Sequence, residues 1–173
     1  KLLKPAPEQA AEAHRLSLML QQSHRNARDL AKSFYPIELE QQGLAAALEG
    51  IAQRAQEQSG VKCTVEAGTI VETGAKDATS VQLLRIAQEA VQNVVKHAHA
   101  RKIVIHLSKP EGSWLLTVRD DGTGLGHHLR KKAGMGMCIM QYRARIIKGN
   151  LSVGNAAGGG VLVSCSAPSG EPR

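Results

Sequence analysis

The stretch from Leu83 to Ala98, LLRIAQEAVQNVVKHA, sets the tightest limit on what this chain can become. Its spacing predicts a helix with two distinct faces. Leu84, Ala87, Val91, Val94 and Val95 recur three and four apart, the stripe a helix turns toward a core. Glu89, Asn93 and His97 stand four apart and stack in one line, with Lys96 beside them. A carboxylate that polarises water, an amide oxygen that binds a hard cation and nearby basic groups suit phosphate chemistry with magnesium. A solvated face of ordinary polar residues would show the same spacing, so the rest of the chain must decide.

Two later stretches do so. Trp114 to Asp120 (WLLTVRD) reads as a strand on which Trp114, Leu116 and Val118 share a face with Asp120. The strand runs directly into Asp121-Gly122-Thr123-Gly124-Leu125-Gly126. After the basic segment His127 to Lys132 comes Gly134-Met135-Gly136-Met137, at the head of an amphipathic helix predicted to reach Lys148. Bare amides at a helix N-terminus suit phosphate. No GxxxxGK[ST] loop occurs, so this is not a P-loop protein. The glycine spacing after the strand also fails the dinucleotide fingerprint.

The acid-amide helix, the strand ending D-D-G-T-G and the G-M-G-M helix start, in that order, resemble the ATP-binding domain of sensor histidine kinases. That domain is shared with DNA gyrase, the Hsp90 chaperones and the MutL mismatch-repair proteins, and the resemblance covers roughly residues 43–168. It implies a two-layer α+β sandwich (the Bergerat ATP-binding fold), with the nucleotide between the helices and a lid. It assigns Asn93 to Mg2+ and Glu89 to a water or the attacking group, so Glu89 and Asn93 are the expected catalytic pair. Lys96 and His97 match the basic positions near the phosphates. Asp120 would accept a hydrogen bond from the adenine amino group. Gly122 and Gly124 would let the backbone approach base and sugar. Gly134, Met135, Gly136 and Met137 would receive the phosphates, and Lys131 and Lys132 would belong to a cationic lid. Val161 stands where many relatives carry Thr, near the adenine, a departure that could weaken base recognition.

The flanking segments fit this reading. Glu8 to about Phe34 lacks internal Gly and Pro and carries an apolar seam at helical spacing, ended by Pro36. Ala27 to Leu39, followed by Gln41-Gln42-Gly43-Leu44, resembles the second dimerisation helix and linker of the nitrate-sensor and membrane-thermosensor class. His14 and His24 are each followed by Arg rather than an acid, so the phosphoacceptor helix is expected to lie outside this chain. Residues 1–40 are then the end of the dimerisation region, 41–168 the catalytic domain and 169–173 a tail.

Within the catalytic domain, Leu44 to Gln58 reads as a helix. Thr79 or Ser80 could cap the organising helix. Strands are expected at Val61–Ala67, Arg101–Leu107, Trp114–Asp120, Leu151–Val153 and Val161–Ser166. The sum is a mixed sheet of about five strands with three helices on one face, preceded by a long helix.

Composition narrows the class. Of the 173 residues 42% are hydrophobic, yet only four carry aromatic rings, so the core must be aliphatic. Cys63, Cys138 and Cys165 show no CxxC spacing, which excludes the common zinc frameworks and predicts free thiols, with Cys63 and Cys165 buried. The net charge of +7 fits a polyanionic ligand. The basic residues form no dense stripe and aromatic rings are few, so nucleic acid is not an expected partner. No stretch approaches the roughly 18 apolar residues of a membrane span. The chain begins at Lys1 rather than Met, as a piece of a longer protein would.

The resemblance thus implies ATP and Mg2+ as cofactors and transfer of the γ-phosphoryl to a histidine. It implies a response-regulator receiver domain as partner, a homodimer formed through the N-terminal helical region, and a cytoplasmic domain compatible with a parent anchored in the inner membrane. Two rivals remain: a serine kinase of the same superfamily that inhibits a sigma factor, and a non-enzymatic dimerisation module with a vestigial nucleotide site.

Overall fold

A computed structural model describes residues 37–68, 78–126 and 134–168. The chain divides into two compact units, Lys1–Pro36 and Ile37–Arg173. The first unit lies outside the described residues, and with it His14, His24 and the expected long helix. Every element described lies in the second unit.

Its elements run α1 (Ile37–Ser59), β1 (Lys62–Ala67), α2 (Ala78–His97), β2 (Lys102–Ser108), a short 3-10 turn (Pro110–Gly112), β3 (Ser113–Asp120), α3 (Met135–Ile146), β4 (Asn150–Asn155) and β5 (Val161–Pro168). The five strands form one mixed sheet in the order β1-β2-β3-β5-β4. β1 and β2 are parallel, joined through α2, and the remaining pairs are antiparallel.

The strands alternate as the sequence predicts. On β2, Ile103, Ile105 and Leu107 are buried; on β3, Trp114, Leu116, Val118 and Asp120; on β5, Val163, Cys165 and Ala167. These side chains make one continuous face, and the three helices pack on it through Leu44, Leu48, Leu83, Leu84, Ile86, Ala87, Met140 and Ala144. Burying one such Leu contributes about 1.5–3 kcal/mol. The two-layer α+β arrangement is therefore the expected one.

Several local expectations are corrected. α1 contains the expected helix from Leu44, joined across a kink at Gly43, whose φ of 84° and ψ of 177° only glycine adopts readily, to a short helical stretch from Ile37 that was not expected. Thr79 and Ser80 do not cap α2; they lie buried inside its first turn. Val95 is not in the core stripe. It is 39% exposed, while Leu83, Ile86 and Ala90 are buried. Five residues three and four apart drift round the helix, and the last of them rotates out of the contact.

α3 runs Met135–Ile146, starting within the Gly-Met-Gly-Met stretch and stopping two residues short of the expected Lys148. Its inner side is Met140 and Ala144, with the buried Ile147 at its C-cap. Ile139 and Ile146 lie with Met135 and Tyr142 among the exposed large hydrophobic residues.

Candidate functional site

α2, β3, α3 and the β4–β5 hairpin enclose a cleft of about 730 Å³. Its walls are mostly aliphatic, among them Ala90, Val94, Val118, Leu125, Met137, Met140, Val153 and Val163. Polar side chains enter at few points: Asn93 and His97 from α2, Asp120 from β3, Gln141 from α3 and Asn155 from β4. An apolar slot with a few placed polar groups suits a flat ring system carrying a polar tail.

Asp120 closes one end. It is 3% exposed, and its carboxylate is held by the backbone. Gly122 N–H donates to Oδ1 at 2.8 Å and Val161 N–H donates to Oδ2 at 3.1 Å. A carboxylate has about four acceptor sites, so it can still accept from a ligand amino group. Val161 therefore supports Asp120 through its backbone whatever its side chain, and that side chain lines the cleft.

The glycines around Asp120 are required by space. A Cβ on Gly122 would stand 2.2 Å from the Ala98 carbonyl oxygen, and Thr123 N–H donates to that same oxygen at 2.9 Å. A Cβ on Gly160 would stand 2.0 Å from the Asp120 carbonyl oxygen, at a φ of 78°. Asp121 points the other way. Its Oδ1 accepts from Arg101 N–H at 2.8 Å and Lys102 N–H at 2.9 Å, fastening the end of β3 to the start of β2. The hydrogen bond from Lys102, then that from Arg101, holds the Asp121 carboxyl below the usual range.

The opposite wall is the start of α3. Gly134 is its N-cap, in extended conformation, with no side-chain capping hydrogen bond. The first amides of a helix have no intrahelical acceptor, and their dipole favours an anion. Beside them, Glu89 and Asn93 converge on one point. A Cβ on Gly136 would stand 2.1 Å from Glu89 Oε1 and 3.4 Å from Asn93 Nδ2. The line along α2 thus faces the first turn of α3 because residue 136 has no side chain.

Of the expected site residues, Asn93, His97, Asp120, Gly124, Gly134, Met135, Gly136 and Met137 line the cleft together. Glu89, Lys96 and Gly122 are not in its lining. Glu89 lies against Gly136, Lys96 is exposed at the end of α2, and Gly122 packs on Ala98. Lys131 and Lys132 lie outside the described residues. Sequence reasoning missed Gln141, Leu125 and Asn155. Asn155 Oδ1 accepts from Leu125 N–H at 2.7 Å, a pairing across 30 residues that no local pattern signals.

Farther along the α2–α3 contact, Arg143 Nη1 donates to Gln82 at 3.0 Å and Arg85 Nη1 to Gln88 at 3.0 Å. Burial first, then the neighbouring Arg143 charge, lowers the pKa of Arg85. Burial pushes the Cys63 and Cys165 thiols up to about 11, which suits structural rather than reactive cysteines.

The family of histidine kinase-, DNA gyrase B- and HSP90-like ATPases matches residues 78–171, more than half the chain. The chain belongs to that family. The domain is a histidine-kinase-type ATPase domain, and the nucleotide its family uses is ATP. Among curated relatives, the nitrate/nitrite sensor protein NarQ of Escherichia coli is 34% identical over 176 residues, covering 98% of this chain and 31% of that protein. The sensor histidine kinase MctS of Rhizobium johnstonii is 30% identical over 143 residues, covering 81% of this chain and 31% of that protein. The chain thus spans about a third of these relatives' length.

Solved structures share the fold. The histidine kinase domain of the Erythrobacter litoralis EL346 blue-light activated kinase aligns with a TM-score of 0.61 at 23% identity, covering 72% of this chain and 60% of that one. The catalytic domain of histidine kinase ThkA aligns with a TM-score of 0.61 at 15% identity, covering 77% and 96%. No helix among the described residues is long and apolar enough to cross a membrane.

Proposed function

We propose that this domain binds Mg-ATP in the cleft and serves as the catalytic part of a sensor histidine kinase, transferring the γ-phosphoryl to a histidine for relay to a response regulator. The observation that carries the reading is the polarity of the cleft. A buried acceptor, Asp120, stands at one end of an apolar slot, and uncapped helix amides stand at another wall.

An adenine would lie in the aliphatic slot with its amino group on Asp120. Guanine presents a carbonyl oxygen where that amino group stands, so it would face a carboxylate with no proton to share. The triphosphate would run toward Met135 and Gly136 at the head of α3, with the His97 imidazole beside it and Lys96 at the rim of α2 adding positive charge. Lys131 and Lys132 belong to the segment proposed as the lid.

The donors present fit magnesium. Asn93 and Glu89 lie together at Gly136 and each carries a hard oxygen, the Asn93 amide oxygen and the Glu89 carboxylate, and Mg2+ takes one or two protein ligands and completes its shell with water and phosphate oxygens. When bound, the ion would neutralise charge on the phosphates. Asn93 would hold it, Glu89 would act through a water molecule or orient the attacking group, and the helix amides would steady the phosphates. Catalysis of this kind is positioning and electrostatics, with little covalent work for the protein.

The acceptor histidine, the receiver-domain partner, dimerisation through the N-terminal helical region and a membrane-anchored parent belong to the same proposal, supported by the kinship with sensor kinases, as does the division at 1–40, 41–168 and 169–173. The test is to incubate the domain with γ-labelled ATP, Mg2+ and a dimerisation-region protein carrying the acceptor histidine. Acid-labile, base-stable label on that histidine, absent with Asn93→Ala, is the expected result. Label on serine, or none, would reject histidine transfer.

A further inference from the structure

Asn155 stands at the end of β4, opposite Val161 of β5, and lines the cleft. Its side-chain amide is oriented by one unambiguous partner. Leu125 N–H can only donate, so the atom it meets at 2.7 Å must be the carbonyl oxygen Oδ1. That oxygen also stands 3.0 Å from where a Cβ on Gly124 would be, so the amide is pressed against the loop after β3. Gly124 has a φ of 74°, and the turn it makes presents the Leu125 amide to Asn155. The other limb, Nδ2, carries two protons and makes no hydrogen bond with any described residue.

The neighbouring groups define the setting. Val161, the register partner of Asn155, donates its amide to Asp120. Asn155 on β4 and Asp120 on β3 therefore flank the same end of the cleft, one from the strand on each side of β5. Asp120 can only accept once ionised. Asn155, with its oxygen turned to Leu125 N–H, leaves the two protons of Nδ2 to give.

We propose that Asn155 is a second recognition residue of this site, donating from Nδ2 to an acceptor atom of the bound nucleoside, a ring nitrogen or a ribose oxygen. The inference rests on the reading of the cleft as an ATP site. It assigns the residue two tasks: Oδ1 fixes the Gly124–Leu125 backbone, and Nδ2 reads the ligand. An acceptor from Asp120 and a donor from Asn155 together distinguish a ligand edge better than either alone, because a mismatched partner leaves a polar group unpaired.

The two tasks separate by substitution. Asn155→Asp keeps an oxygen for Leu125 N–H and removes the donor, whereas Asn155→Ala removes both. Binding of adenosine, which carries no phosphate charge to repel the new carboxylate, is measured by calorimetry for the wild type and both variants, and binding of ATP for the wild type and Asn155→Ala. Adenosine affinity is expected to fall about three- to tenfold in both variants, the loss of one neutral hydrogen bond. A series of ATP analogues lacking single acceptors, 1-deaza, 3-deaza, 2′-deoxy and 3′-deoxy, then locates the partner. One analogue should bind the wild type more weakly than ATP does, yet bind Asn155→Ala as well as ATP does.

Wild-type affinity for adenosine in Asn155→Asp would overturn the inference and leave Asn155 as a loop-positioning residue. So would an analogue series in which Asn155→Ala keeps every discrimination of the wild type. Failure of the wild type to bind ATP at all would overturn the ATP-site reading and this inference with it.

Discussion

Gly136→Ala should separate stability from catalysis. Gly136 lies in the first turn of α3, outside the positive-φ region, so alanine meets no backbone strain there. Replacing a helical glycine by alanine lends about 0.5–1 kcal/mol, or a rise in Tm of up to about 4 °C for a domain of this size. The new methyl, however, would stand 2.1 Å from Glu89 Oε1, closer than real Cβ contacts allow. The neighbouring Asn93 Nδ2, at 3.4 Å, need not move. Glu89 is a flexible side chain and can swing away by about 1 Å, so folding bears little of the cost. Its carboxylate then no longer faces the start of α3. Misplacing a reacting or orienting group by 1 Å costs on the order of 100-fold in rate. Thermal unfolding and slow ATP hydrolysis, with kcat and KM separated, are the assays. The expected result is an unchanged or raised Tm, a KM within about threefold of wild type, and a kcat lower by about 100-fold. Unchanged kcat would show that the position of Glu89 does not matter to the chemistry. A lowered Tm would show that Gly136 is there for packing.

Neighbouring contacts carry further expectations. Gly122→Ala places its methyl against the Ala98 carbonyl, a backbone atom that cannot rotate away; a loss of about 1–3 kcal/mol should appear as a lower Tm together with weaker ATP binding, and an unchanged Tm would refute the clash. The Asp121 carboxyl is held below its ordinary pKa, so its contribution is present above the unfolded carboxylate value and lost as pH falls through the folded one. The Tm gap between wild type and Asp121→Ala should therefore be widest near neutrality and shrink below about pH 4; a gap independent of pH would reject the charge-based account. Cys138 is exposed whereas Cys63 and Cys165 are buried. A thiol reagent at pH 8 should label Cys138 alone until the protein is unfolded, and rapid labelling of all three would contradict the buried positions of the other two.

Much of this was legible in the sequence because period and chemistry coincide. The alternation of Trp114, Leu116 and Val118 with Asp120 puts an acid on a core face, and the buried carboxylate is found there. The four-residue spacing of Glu89 and Asn93 likewise puts them on one line, and the structure turns both toward Gly136. What the pattern could not give is which member of a line meets which neighbour. Glu89 stays out of the cleft lining because the head of α3 stands in front of it. Val95 looked like core until the rotation of the helix about its axis was fixed by the packing of Leu83, Ile86 and Ala90. Within D-D-G-T-G, Asp121 serves the β2–β3 junction, and Gly122, expected beside base and sugar, serves the contact with Ala98. Asn155 was invisible for a simpler reason. Its partner, Leu125, is 30 residues away and bonds through a backbone amide, which has no sequence signature.

The central claim is that the cleft is an adenine-selective Mg-ATP site built on Asp120. Calorimetry of the wild type and Asp120→Asn with ATP and GTP, each with and without Mg2+, tests it most directly. The account predicts that the wild type binds ATP, more tightly with Mg2+, and discriminates against GTP, and that Asp120→Asn loses most of that affinity and preference. Equal binding of ATP and GTP by the wild type, or undiminished ATP affinity in Asp120→Asn, would contradict it.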